Sequence, residues 1–283
     1  DQLYVAYDSY QKSRKLDNNG RMDNQLAPLY VKLANDFLKL SKDYYNNEDY
    51  DEALKGFEHA LKINQLSILS LELDTGLLYN TALAAYKSGE WRKASDFLNQ
   101  LNDFNYSPNV PKLLQQAYFA MNDSAKAEFT LAESMEKYEY DKDLVLLYVD
   151  MLYHQDDLNK AITVLDSATV KDTANAVFFY TKGLLYQKTE HYNQAIKAYK
   201  NAVRVDPERV ETYSNIASCF YNMAVEIEEN ARSIRDLKVY HTEKTKSDAA
   251  RASALKWYKK AYEKDPGNQK IREQIDQLNQ FLK

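Results

Sequence analysis

The sequence predicts an all-α protein, a right-handed α-α superhelix that stacks repeated helix–turn–helix elements. The first observation is compositional: 283 residues include only 6 Gly and 5 Pro, the residue types that interrupt helices. The second is that 45% of the residues are hydrophobic and 28% are charged, which is enough to bury a core. The third is a period of about 34 residues, which is typical of a solenoid. It is set by alanines at steps of 41, 33, 34 and 34 residues: Ala53, Ala94, Ala127, Ala161 and Ala195.

The clearest copy of the repeat lies at residues 176–209, and its residue types predict a pair of packed helices. Gly183 and Ala195 are small enough to let two helices approach closely, and aromatic residues fill the space between them. Pro207 ends the second helix because proline has no N–H to donate. The residues that define this copy are Phe179, Gly183, Tyr186, Ala195, Tyr199, Ala202 and Pro207.

This pattern resembles the tetratricopeptide repeat (TPR) family, whose repeat is a helix–turn–helix of about 34 residues. The resemblance extends over nearly the whole chain and implies a single solenoid domain at 1–283. It implies about six repeats, expected at 34–67, 75–108, 108–141, 142–175, 176–209 and 210–268.

The two ends of the chain have the pattern of single helices rather than pairs. The first, 4–20, resembles the second helix of a repeat, and Gly20 is expected to end it. The last, 269–283, is expected to cap the final repeat. Its apolar residues recur at helical spacing: Ile271, Ile275, Leu278 and Phe281.

The final repeat is longer than the others. Its two small packing residues, Ala217 and Ala254, lie 37 residues apart, whereas the corresponding residues of the preceding repeat lie 12 apart. The excess contains neither Pro nor Gly, so we expect a lengthened helical hairpin with an inserted arm at 226–250. The arm would protrude by roughly 18 Å at about 1.5 Å per helical residue. Its turn is predicted near 241–247, where Thr, Ser and Lys cluster.

Charge and reactive residues exclude several classes of function. A net charge of −5 argues against nucleic acid as a partner, which would require a basic face. No run of about 18 apolar residues occurs, so no membrane span is expected. The histidines are scattered over different repeats and Cys219 is the lone cysteine, so we predict neither a metal site nor an internal disulfide. No acid, base and nucleophile converge, so we predict no catalytic residue, no cofactor and no enzymatic activity.

Two features bear on the cellular compartment, which Cys219 alone leaves open between cytoplasm and periplasm. The chain opens DQLYVAYDSY, without Met or a basic-then-apolar leader, as expected if a targeting segment has been removed or the chain has been trimmed. The stretch WYKKAYEKDPGN after the lengthened hairpin is similar to endings in exported bacterial TPR proteins. That similarity favours a bacterial origin and the periplasm or cell envelope.

The resemblance also implies a function. Stacked TPR repeats expose their first helices along a concave groove that binds a peptide or protein partner. Tyr gives large, stiff contact area with a hydrogen-bonding tip, and Asn can pair with a peptide backbone. An aromatic residue recurs at one groove-facing position in every repeat except one, which has Gln187. The candidate ligand-binding residues are Tyr45, Tyr86, Phe119, Tyr153, Tyr180, Tyr221, Asn80, Asn215, Lys39 and Lys42.

Three alternatives remain open at the level of sequence. With 24 Tyr in the chain, the aromatic series can also arise from packing between neighbouring repeats. The arm or a terminal helix can bury against a second copy, which would make a homodimer. The aromatic series can also stack on sugar rings, which would make the protein a glycan- or peptidoglycan-associated binding protein of the cell envelope.

Overall fold

A computed structural model describes residues 2–17 and 19–282 of the chain. Within that part the secondary structure consists of α-helices and one 3₁₀ turn at Ser67–Leu69, without strands, which confirms the all-α fold class. No helix in those ranges has the length and apolar character that a bilayer span requires. The helices are α1 Gln2–Leu16, α2 Asp23–Asn46, α3 Tyr50–Asn64, α4 Thr75–Lys87, α5 Trp91–Asp103, α6 Asn109–Ala120, α7 Ser124–Lys137, α8 Lys142–His154, α9 Leu158–Lys171, α10 Ala176–Lys188, α11 Tyr192–Val205, α12 Val210–Ala231, α13 Leu237–Lys264 and α14 Gln269–Phe281.

The chain divides into two compact bodies, an N-terminal lobe, Asp1–Leu144, and a C-terminal lobe, Val145–Lys283. In the N-terminal lobe α2 packs against α3, α4 against α5, and α6 against α7. In the C-terminal lobe α10 packs against α11, and α12 against α13. Each of these pairs is a helix–turn–helix of the predicted kind. The exact limits of the repeats stay a prediction.

The turns inside five helix pairs share one backbone geometry. In each turn, the residue two positions before the second helix has a positive φ, and the next N–H donates to the carbonyl five residues back at 2.8–2.9 Å. This arrangement satisfies carbonyls that the first helix leaves unpaired at its end. The positive-φ residues lie five positions before the periodic alanines, so the backbone repeats with the same steps: Glu48, Gly89, Asn122, Asp156 and Glu190.

The closest helix approach in the clearest repeat lies between α10 and α11. A Cβ atom added to Gly183 would lie 2.9 Å from Tyr199 Cγ, and closer still to Cδ1 and Cε1 of the same ring. Tyr199 is fully buried, and its hydroxyl donates to Gln187 Oε1 at 2.8 Å. Ala195 on α11 is also fully buried. The prediction that small residues let the two helices approach is therefore confirmed at this pair.

The lengthened hairpin is present, but its turn lies earlier than predicted. The turn between α12 and α13 is at 232–236, so the prediction of a turn near 241–247 is wrong. With 22 residues in α12 and 28 in α13, the two helices are unequal in length. The predicted arm at 226–250 therefore consists of the end of α12, the turn and the first half of α13.

Side-chain hydrogen bonds explain the position of this turn. The Asp236 carboxylate accepts the N–H groups of Lys238 at 2.8 Å and Val239 at 3.1 Å, which starts α13 at that point. The polar residues that suggested a later turn bond within the helix instead. Thr242 and Thr245 each donate to the carbonyl four residues earlier, at 2.9 and 2.8 Å.

The terminal helices pack on the adjacent helix pairs. The Tyr4 ring of α1 lies 5.1 Å from Phe37 on α2 and 4.8 Å from His59 on α3, measured between ring centroids. α1 ends before Gly20, which lies in the following turn at φ +64°. At the other end, α14 packs on α13 through Ile271 and Leu278, as expected for a capping helix.

Replacing Gly183 with Ala should destabilise the protein by about 1–3 kcal/mol, because the added methyl group overlaps the buried Tyr199 ring. Chemical denaturation with helical circular dichroism as the signal measures the change. Gly267→Ala is the matched control, since a Cβ there meets only Asp265 Oδ1 at 3.7 Å. Equal midpoints for the two variants would contradict the close approach described here.

Candidate functional site

A groove of about 760 Å³ lies on the first helices of the C-terminal lobe. α8 and α10 supply nearly all of its lining, and α12 adds one side chain. Four of the lining residues are aliphatic, and Tyr153 and Leu184 are 38% and 40% exposed. The lining residues are Leu146, Val149, Asp150, Tyr153, Thr181, Leu184, Leu185, Gln187, Lys188 and Asn222. The groove therefore offers apolar surface to solvent beside a small number of polar groups.

The polar groups of this groove are held in place by local contacts. Lys188 Nζ lies 5.0 Å from the Tyr153 ring centroid, and a hydrogen bond to Tyr153 raises the pKa of Lys188. Asp150 Oδ1 lies 3.7 Å from His154 Nε2. Gln187 accepts a hydrogen bond from the buried Tyr199. The groove thus carries one cation, one anion, two amides and the Thr181 hydroxyl around its aliphatic surface.

A second cavity, of about 710 Å³, follows α12 toward α14. Asn222 lines both cavities, so they adjoin along α12. Amides and hydroxyls dominate this part: Ser214, Asn215, Ser218, Tyr221, Asn222, Tyr258, Asn268 and Gln274. The Ser218 and Tyr258 hydroxyls share a hydrogen bond of 2.9 Å. The C-terminal lobe therefore places an aliphatic groove next to a surface rich in hydrogen-bonding groups.

The N-terminal lobe has a smaller cavity, of about 230 Å³, between α2, α3 and α4. It brings together the candidate residues Lys42, Tyr45 and Asn80. Burial, followed by the neighbouring Tyr50 and Tyr79, raises the pKa of the Tyr45 hydroxyl. This cavity is too small for more than one side chain of a ligand.

The predicted site residues fall into groups rather than a continuous series. None of the ten is buried, and Lys39, Lys42, Phe119 and Tyr153 are exposed. Tyr221 and Asn215 line the second cavity. The Tyr86 hydroxyl donates to Gln116 Oε1.

Tyr180 differs from the other candidate residues because neighbouring side chains already engage it. Its hydroxyl accepts a hydrogen bond from Asn215 Nδ2 at 3.2 Å. The Arg209 guanidinium lies 3.8 Å from its ring centroid. Its ring also lies 5.7 Å from the buried Tyr199 ring, between centroids. Tyr180 therefore supports the wall of the site more than it offers a free contact surface.

Several lining residues were missed by sequence reasoning because they are not aromatic. Leu146, Leu184, Lys188 and Asn222 all lie at groove-facing positions of the same 34-residue frame. Their position within the repeat would have identified them. The prediction missed them because it favoured aromatic residues at those positions. Gln187 breaks the aromatic series, and the aliphatic Leu184 supplies apolar surface one turn earlier.

Cys219 lies inside the C-terminal lobe, with Ala195, Ile196, Tyr199 and Ile216 in the same cluster. Burial raises the pKa of its thiol to about 12. It packs as a small apolar residue. Among residues 2–17 and 19–282, no group of three His, Cys, Asp or Glu side chains is placed to hold a metal ion.

Comparison with known proteins identifies the repeat type. The family model described as Tetratricopeptide repeat matches residues 176–209. A TPR repeat-containing protein of Methanocaldococcus jannaschii is 23% identical over 176 residues, which cover 61% of this chain and 25% of that protein. Human Superkiller complex protein 3 is 21% identical over 215 residues, 75% of this chain and 14% of that protein. A crystal structure of a TPR repeats protein from Bacteroides fragilis covers 88% of this chain and 98% of its own, at 20% identity and a TM-score of 0.46.

Cys219 should not react with a thiol reagent such as dithionitrobenzoate at pH 8 in the native protein. The reason is that a buried thiol with a pKa of about 12 supplies almost no accessible thiolate. Absorbance should report close to one thiol per chain only after denaturant is added. Stoichiometric labelling within minutes under native conditions would show that the cluster around Cys219 is open.

The exposed and buried tyrosines of the site should differ sharply in their effect on stability. Tyr199→Ala leaves a cavity in the core and should cost about 3–5 kcal/mol. Tyr153→Ala removes a side chain that is more than a third exposed and should cost about 1 kcal/mol or less. Denaturant midpoints of both variants measure this, and a large loss for Tyr153→Ala would place that residue in the packing instead of the site.

Proposed function

Because the chain is a tetratricopeptide repeat protein, and such proteins generally mediate protein–protein interactions, we propose that it binds an extended segment of a partner protein. The binding surface is the groove on α8, α10 and α12 of the C-terminal lobe. The observation that carries the proposal is the aliphatic surface of that groove, left open to solvent and adjoining a row of amides and hydroxyls.

The chemistry of the groove favours a peptide with one large apolar side chain. Leu146, Val149 and Leu184 give that side chain an apolar environment, and Tyr153 adds a stiff aromatic contact. Asn215 and Asn222 have both donors and acceptors, so they can pair with the backbone of an extended chain, whose own N–H and C=O groups are free. The apolar side chain then contributes affinity, and the amides fix the direction of the peptide.

Glycan binding fits this groove less well. A sugar needs an aromatic face together with several polar partners for its hydroxyl groups. Of the residues that line the groove on α8 and α10, Tyr153 is the aromatic one, and its ring already contacts Lys188. Aliphatic side chains supply the rest of the apolar surface, and they favour an aliphatic or aromatic peptide residue.

The role is that of a scaffold or adaptor rather than an enzyme, as is typical of the TPR fold. The groove of the C-terminal lobe contains one carboxylate, Asp150, one ammonium group, Lys188, and no histidine or cysteine. These two charged groups contribute to recognition of the partner, and we propose no proton transfer by them.

Peptide display should enrich sequences with one Leu, Ile, Met or Phe at a fixed position. Fluorescence anisotropy should then give a Kd that weakens about 10- to 30-fold for Leu184→Asn or Tyr153→Ala, the size expected for residues central to an interface. Leu71→Asn and Tyr106→Ala are matched controls, since both residues are similarly exposed but lie in the N-terminal lobe.

Two results would count against the proposal. One is that no peptide class is enriched in several rounds of selection with the folded chain. The other is that selected peptides bind the groove variants and the wild type equally well. If binding is instead lost only with Tyr45→Ala, the site belongs to the N-terminal lobe.

A further inference from the structure

The end of the lengthened hairpin, residues 232–246, has an unusual surface, and it is called the hairpin tip below. It comprises the turn after α12 and the first ten residues of α13. No residue of the tip is buried, and 235–242 are exposed without interruption. Burial on α13 begins only at Ser247. The tip is therefore the exposed end of the α12–α13 hairpin, beyond the hydrogen bond from Ser247 to the Ala224 carbonyl.

The hairpin tip exposes large apolar side chains. Leu237 is 73% exposed, and Val239 and Tyr240 are also exposed. Leu237 and Tyr240 are three residues apart and share one face of the helix, whereas Val239 lies on another face. At about 100° per helical residue, these three side chains span an arc of roughly 160° around the helix.

The charges of the tip are predominantly positive, although the whole chain carries −5. Its two acidic side chains have local partners: Asp236 caps α13, and Glu243 Oε1 lies 2.7 Å from Lys246 Nζ. Four cations of the tip form no ion pair within the part of the chain that the structure describes: Arg232, Arg235, Lys238 and Lys244. The tip therefore combines exposed apolar side chains with a net positive charge.

We propose that the hairpin tip inserts shallowly into the surface of an anionic lipid bilayer. Three exposed apolar side chains within an arc of about 160°, next to basic side chains, match a helix end that lies in the headgroup and upper acyl region of a bilayer. Leu and Val favour the acyl boundary, Tyr favours the headgroup level, and Arg and Lys reach anionic phosphates. This surface is separate from the groove and would hold the protein at a membrane while the groove binds its partner.

Vesicle flotation with the full chain tests the proposal. Binding should be strong on phosphatidylcholine vesicles that contain about 30 mol% phosphatidylglycerol, and weak on phosphatidylcholine alone, because each basic residue contributes only near an anionic surface. Arg235→Gln with Lys238→Gln should weaken binding about fivefold per charge removed. Leu237→Gln with Tyr240→Gln should reduce it at least about tenfold, because the inserted apolar groups are lost.

Matched controls keep the result specific to the tip. Val170→Gln removes a similarly exposed apolar side chain from α9 of the same lobe. Lys171→Gln with Lys197→Gln removes two exposed cations outside the tip. Both controls should bind vesicles as the wild type does, and circular dichroism should confirm that every variant is folded.

Insertion itself can be read with an environment-sensitive dye on Leu237→Cys. The native Cys219 is buried and should stay unlabelled, so the dye reports the tip alone. Its emission should shift to the blue with anionic vesicles and stay unchanged with neutral ones.

Three outcomes would overturn the proposal. The first is that the wild type does not bind anionic vesicles, or that both tip variants bind them as well as the wild type does. The second is that soluble polyglutamate binds the protein as tightly as vesicles do, and that the Leu237→Gln, Tyr240→Gln variant binds polyglutamate equally well. That result would indicate an acidic protein partner. The third is a wild-type dimer in light scattering that the same variant converts to a monomer, which would assign the tip to self-association.

Discussion

The close approach of two helices at a small residue determines most of this structure. At Gly183 the absence of a side chain lets the Tyr199 ring lie directly against the α10 backbone. The aromatic and aliphatic residues of the pair are then buried between the helices, and the opposite face of the first helix is left to solvent. The periodic alanines and the positive-φ turn five residues before each of them reproduce this arrangement along the chain.

The groove of the C-terminal lobe forms because the first helix of each pair buries one face and leaves the other exposed. Helices α8 and α10 each pack one side against neighbouring helices, and Leu146, Leu184 and Tyr153 lie on the other side. One groove residue is also bonded to the core, because Gln187 accepts a hydrogen bond from the buried Tyr199. The rigid core therefore positions the groove residues, which reduces the entropy lost when a partner binds.

The final helix pair uses polar contacts to extend the same packing over a longer distance. Ser247 donates to the Ala224 carbonyl at 2.8 Å, and the largely buried Arg251 donates to Ser247 and pairs with Glu228. These bonds, together with the buried Ala224 and Ala250, hold α13 against α12. They end before the hairpin tip, which is why the tip has a surface unlike the rest of the chain.

The sequence by itself determined the helical fold, the period and the small residues at which helices meet, because these follow from local spacing and side-chain size. It also identified the positions that face the groove, although selection for aromatic residues missed Leu184 and Asn222. The sequence prediction misplaced the hairpin turn although the signal is local, because Asp236 caps α13 and Thr242 bonds within the helix. Only the tertiary structure decided that Tyr180 is engaged by Arg209 while Tyr153 stays exposed, because both outcomes depend on neighbours that the repeat pattern does not specify.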